Sequence, residues 1–246
     1  PALVNMISLK LNIRNGSNFN AHLKVNTGTS TASDNGSPLT AVFNGTITID
    51  AGATLSTTGG GYFMRANGNV INNGTLSAGG GSTFRLSGAA LTNNGIVTGT
   101  TFNFETGAHS LSGTGTWTTN ANVLTGSTVT LVSDHRLQSL TINAGGTVYL
   151  STYKLSLSAS NPISNSGSLF SANGIFEYNG TSAQSISTTN VTYNRLRINN
   201  TAGVSLPAAL TVVDTLAVIL GDLNLNGQIL TISPNGYLTE TPGNTV

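Results

Sequence analysis

The stretch Val70–Gly80, VINNGTLSAGG, returns in altered form at Leu91–Thr100 as LTNNGIVTGT, 21 residues further on. The shared phrase is apolar–apolar–Asn–Asn–Gly–x–apolar, with a polar residue in the second place of the second copy. A catalytic loop has no need to recur at such an interval. One coil of a stacked structure does, because each coil must present the same shape to its neighbours.

The phrase appears again. LTNNGIVTGTTFNFE (Leu91–Glu105) aligns without gaps to ISNSGSLFSANGIFE (Ile163–Glu177), an offset of 72 residues. AHSLS (Ala108–Ser112) then matches AQSIS (Ala183–Ser187) at offset 75, and LTINAGGTVYL (Leu140–Leu150) matches LRINNTAGVSL (Leu196–Leu206) at offset 56. IDAGATL (Ile49–Leu55) is an earlier relative. The drop from 75 to 56 means that the first copy carries 19 extra residues, close to the spacing of the opening phrase. A solenoid can gain or lose a whole coil, and a closed sandwich cannot easily do so. One coil is therefore roughly 18–22 residues.

Short alternating segments fill each coil: LTI (140–142), LSL (155–157), LRI (196–198), LNL (223–225) and LTI (230–232). Period-2 alternation turns Leu and Ile inward and their polar neighbours outward. The Asn-Gly phrases read as corners, since both residues tolerate left-handed backbone and Asn can satisfy a bend. The expected corners are Asn72, Asn73 and Gly74, then Asn93, Asn94 and Gly95, then Asn165 and Gly167. Repeated Asn side chains are expected to stack coil on coil as amide ladders. The fold class is all-β, a single right-handed parallel β-helix (β-solenoid) over residues 1–246 with roughly a dozen coils.

Composition agrees with this. Of 246 residues, 7% are charged and the formal net charge is +1, which leaves no footprint for nucleic acid or an anionic membrane. Gly, Asn, Ser and Thr make up about half the chain. With 38% hydrophobic residues in alternation, it should fold and not stay disordered. These residue types disfavour helix. The longest apolar run, Leu216–Leu220, is too short to span a bilayer. No signal peptide is visible at Pro1, so the chain reads as a mature protein or a fragment. Zero cysteines exclude disulfides and thiolate metal sites.

GIFEYNGTSAQSISTTNVTYNRLRINNTAGVSLPAALTVVDTLAVILGDLNLNGQILTIS, Gly174–Ser233, resembles a repeat of secreted, adhesin-like β-helical surface proteins of Bacteroidetes-type bacteria. YNGTSAQSI, TYNRLRINN, GVSL and LAVILGDLNLNGQILTI carry the likeness. The resemblance implies an extracellular or cell-surface setting and no enzymatic activity. Such proteins often end in a sorting domain, and TETPGNTV is not one.

β-Helices also carry polysaccharide-cleaving enzymes, so the acids matter. Glu105 and Glu177 occupy matched repeat positions beside Phe104, and beside Phe176 and Tyr178. On nearby coils they would form a carboxylate pair. Strand alternation makes them outward polar neighbours of buried rings instead. Ser133-Asp134-His135 holds triad residue types, but adjacent strand residues face opposite ways. The histidines lack zinc spacing, the acids lack a calcium-loop pattern, and the Gly runs lack a phosphate-loop Lys. No cofactor or metal is expected.

Two features remain. Tyr193, Arg195 and Arg197 form a candidate outward ligand stripe for sugars or an anion, or a solvated face that deters mispairing. At the N-terminus, Leu9, Leu11 and Ile13 alternate with polar residues in a strong strand. Residues 1–20 either begin the first coil or dock on a neighbouring copy by β-augmentation. The second alternative implies a head-to-tail homopolymer. The expected function is an extracellular structural or adhesive solenoid, with self as partner and polysaccharide or a cell surface as further candidates. A carbohydrate-active enzyme is the alternative, and ice binding through Thr rows (TITI, 46–49; TVTL, 128–131) is a third.

Overall fold

A computed structural model describes residues 2–7, 10–12, 17–33, 40–58 and 63–246. The described residues form short strands and no helix. Every strand pair is parallel and joins neighbouring coils. The chain is a β-solenoid of about 11 coils.

One coil shows the plan. Val70–Asn72 lies on what we term the first face. Thr75–Leu86 follows, giving 75–78 to the second face and, past a bend, 83–86 to the third. Ala90–Asn93 then returns to the first face one coil on, with Val70 opposite Leu91 and Asn72 opposite Asn93. Thr75–Leu86, Ile96–Phe104 and Leu210–Leu220 each run through a corner, so they belong to two ladders at once. Partners are between 18 residues apart (Phe84 opposite Phe102) and 25 (Thr29 opposite Thr54). The spread falls between the paired strands, which keep their register.

Inward positions build one continuous core. Phe84 and Phe102 stack at 5.1 Å, and Trp117 meets Phe102 edge-on at 5.0 Å. All three are about 1% exposed. Burial of each such ring contributes about 1.5–3 kcal/mol.

The repeats align in sequence but not in space. Leu91–Asn93 is on the first face, whereas the matching 163–165 is on the third, opposite 140–142. The match of 140–142 to 196–198 likewise moves from the third face to the second. The strand–corner pattern is the same at all three corners, so a repeat can slip by one face. The 19-residue difference between offsets still equals one coil: 108–142 makes five face-to-face steps, and 183–198 makes two.

The first-face ladder runs from Ala2–Ile7 to Ser168–Phe170 and stops there. Beyond it, Gln184–Ser185, Val204–Ser205 and Leu223–Asn224 form a separate three-stranded sheet on the third side.

Candidate functional site

The corner residues divide by side. Asn72 and Asn93 are fully buried, and Asn72 Nδ2 donates to Asn93 Oδ1 at 2.8 Å and to Ile96 O at 3.0 Å. Asn73 and Asn94 sit outside them, and Asn94 Nδ2 donates to Asn73 Oδ1 at 2.9 Å. A second exposed ladder, Asn20–Asn44–Asn67, has links of 2.6 and 2.8 Å. Asn165 Oδ1 accepts from Gly167 N at 2.9 Å, and its Nδ2 donates to Asn190 O.

The reason for glycine differs from the expected left-handed backbone. Gly74 and Gly95 are not among the positive-φ residues. A Cβ on Gly95 would lie 1.9 Å from Gly74 O, and one on Gly74 would lie 2.2 Å from Ala53 O. Close packing of backbone on backbone excludes a side chain there.

Ala2–Ile7 pairs with the strand Ala21–Thr27, and Lys10–Asn12 pairs with 31–33, setting Leu11 opposite Ala32. Leu9 and Ile13 lie outside the described residues.

The outward stripe does not include Tyr193. That side chain is fully buried, with its hydroxyl 2.6 Å from Tyr178 Oη and donating to Ser187 O at 2.8 Å. The register shifts between Tyr193 and Arg195, where the strand turns a corner, so alternation does not carry across. Burial pushes Tyr178 up to about 12 and raises Tyr193 as well. Arg195 and Arg197 do face outward. Arg195 Nε pairs with Asp214 Oδ2 at 2.7 Å, and Arg197 reaches Glu177 Oε2 at 3.4 Å.

The suspected carboxylates do not meet. Glu105 follows the third-face strand, and Glu177 lies on the second face. The one-face slip of the repeat separates them. Arg65 binds Glu105 with Nε to Oε2 at 2.6 Å, and Arg85 Nη1 lies 3.2 Å from Oε1. Ser87 Oγ donates to Oε2 at 2.5 Å. Burial alone would raise the Glu105 carboxyl, but bonds from Arg65, Ser87 and Arg85 outweigh it and hold the group below its ordinary range. Glu177 is 3% exposed and takes Ser156 Oγ at 2.7 Å, Lys154 Nζ at 3.4 Å and Arg197. Each acid is thus a clasp between cations from other coils.

Ser133, Asp134 and His135 diverge. Ser133 Oγ donates to Gly113 O, and Asp134 Oδ1 accepts from Lys154 N at 2.9 Å. His135 points into the core, 3% exposed; neither ring nitrogen makes a well-formed hydrogen bond among the described residues, and the Leu111 backbone and the Asp134 charge offset only part of its burial. Burial pushes it down to about 4. Among the described residues no three His, Asp or Glu side chains are placed to hold a metal ion. No described helix is long and apolar enough to cross a membrane.

No family model, curated protein or solved structure matches this chain.

Three surface clefts stand out. One, of about 600 Å³, holds Arg65, Glu105, Thr125 and Asn143. A smaller one, of about 250 Å³, brings together Asp134, Arg136, Lys154 and Glu177. Both are charged clefts; their glutamates are paired with cations, and Asp134 accepts the Lys154 amide. The third, of about 580 Å³, carries exposed apolar side chains, among them Tyr149 and Phe170. Sequence reasoning passed over this last pair. Its signal was the outward place of both rings in TVY and SLF, where alternation predicts a polar residue.

Proposed function

We propose that this chain is a non-catalytic, extracellular structural and adhesive solenoid. The observation that carries the reading is the use of the suspected acids. Glu105 and Glu177 are each held by two cations and a serine across coils, so neither is free to move a proton. The resemblance of Gly174–Ser233 to adhesin-like surface repeats supports the extracellular setting.

In the same reading, copies add end to end, because coil-on-coil pairing already joins every part of the chain. Only 7% of residues are charged, so little repulsion opposes association. The strand Tyr237–Glu240 is exposed along its length and offers apolar Tyr237 and Leu238. Residues 2–7 and 10–12 pair within this chain, which favours a joint at a sheet edge over the donated strand.

Two experiments test this. The first incubates the chain with plant, algal and bacterial polysaccharides. Turnover that vanishes in Glu105→Gln or Glu177→Gln would replace the structural reading with an enzymatic one. The second is negative-stain microscopy at high concentration, where filaments are expected. A chain that stays monomeric sinks the end-to-end part alone.

A further inference from the structure

The outer surface of the first face changes character along the axis. Ser110, Thr130, Tyr149 and Phe170 occupy one outward column on successive coils. The Tyr149 and Phe170 rings stack at 5.0 Å and 13°, and each is about half exposed. The ladder then ends, and the next coil passes 186–192 without a strand. One coil further, Val213 is exposed again. The 580 Å³ cleft lies here, lined by Phe170, Val213, Ser171, Thr192 and Asn194 among others. Its size is that of a small-ligand site.

We propose that this cleft binds one ring of a neutral polysaccharide, stacked on the free face of Phe170. The inference rests on the adhesive reading above and names its ligand class.

Three observations carry it. The first is thickness. Phe170 and Val213 sit two coils apart, about 9.6 Å by strand spacing. The coil between them crosses without a strand and lines the cleft with Thr192 and Asn194, so outside its backbone the opening is about one ring thick, the spacing of the 5.0 Å Tyr149–Phe170 stack. The second is charge. No residue lining the cleft is ionisable except the Tyr149 phenol, so an anionic or cationic ligand finds no counter-charge.

The third is the polar rim. Ser171 Oγ is committed, donating to Thr192 O at 2.9 Å and accepting from Asn194 N at 3.3 Å. Asn194 Nδ2 is committed to Ala172 O. The Thr192 hydroxyl and Asn194 Oδ1 make no hydrogen bond among the described residues. A sugar has an apolar C–H face for Phe170 and hydroxyls for those two groups. An aliphatic side chain from another protein would satisfy only the ring.

Affinity electrophoresis of the full chain tests this, in gels holding β-glucan, xylan or mannan, with alginate and pectin as acidic controls. At least one neutral polysaccharide should retard the chain. Phe170→Ala should weaken retardation about tenfold, the scale of one lost aromatic contact. Thr192→Trp, which fills the cleft from its exposed rim, should abolish it. Thr192 is exposed and Phe170 half exposed, so both variants should stay folded, Phe170→Ala losing at most a few degrees of melting temperature with its Tyr149 stack. The inference is overturned if no neutral polysaccharide retards the chain, or if retardation survives Phe170→Ala unchanged. It is also overturned if Phe170→Ala abolishes self-association instead, since the cleft would then be a contact between copies. A folded chain that neither binds nor cleaves glycans defeats this inference alone. Cleavage of a glycan defeats the structural reading itself.

Discussion

Replacing His135 by Leu should remove much of the protein's sensitivity to mild acid. His135 sits inside the second face opposite Leu155, and burial lowers it from 6.5 to about 4. The folded state therefore binds fewer protons than the unfolded chain between those values. Stability is full above pH 6.5, falls as pH drops toward 4, and is flat in this term below 4. The gap corresponds to about 3 kcal/mol at 1.36 kcal/mol per pH unit. That is a large part of the 5–15 kcal/mol typical of a folded domain. For a chain of this length it means roughly 6–12 °C in melting temperature. Trp117 is the single tryptophan, about 1% exposed, and its strand pairs with the His135 strand, so its fluorescence reports on these coils. The assay is thermal melting by Trp117 fluorescence from pH 7 to pH 4, wild type against His135→Leu. The variant should match or exceed wild type at pH 7, because it also removes two buried nitrogens that make no well-formed hydrogen bond. The curves should then diverge as pH falls. Parallel curves would refute the reasoning and place the acid sensitivity elsewhere.

Other outcomes follow from the same geometry. Gly95→Ala should cost about 3 kcal/mol or more, since its Cβ would overlap Gly74 O; Gly79→Ala, whose nearest atom is 3.6 Å away, should be close to neutral in the same denaturation assay. Glu105→Gln should cost about 1 kcal/mol, measured by urea unfolding at pH 7, because Arg65 and Arg85 lose their counter-charge at a partly exposed site. That loss should shrink in acid, because a carboxyl held low contributes stability above its unfolded value and loses it as pH falls through the folded one. Burial raises Tyr178 and Tyr193, so ultraviolet titration should find two of the six tyrosines still neutral above pH 11 in folded protein. Folding stability should fall as pH rises past 10, where the unfolded phenols ionise first. Simultaneous ionisation of all six without unfolding would contradict the buried Tyr178–Tyr193 pair.

Strand alternation and corner chemistry are local properties, and so they were legible in the sequence. LTI, LSL and LRI place their apolar residues inward because side-chain direction on a strand alternates residue by residue. NNG marks a corner because few other residues fit where backbone packs on backbone. The insertion of one coil was legible too, because whole coils are the only length change that keeps the stack in register.

Which face each phrase reaches was settled only in three dimensions. All three corners use the same strand–corner pattern, so the repeat could not reveal that 91–93 and 163–165 lie on different sides. That slip separates Glu105 from Glu177. Their partners, from Ser87 at 18 residues to Arg65 at 40, come from other coils, and no short pattern announces them. Tyr193 failed the alternation rule because its strand turns a corner at a register shift. The cleft beside Phe170 exists because one coil crosses the first face without a strand, and such a gap is a relation between neighbouring coils. Sequence determined the coil, since a coil is built from local preferences. Tertiary structure decided what stands next to what on its surface, since residues about 20 apart meet only after the chain has wound.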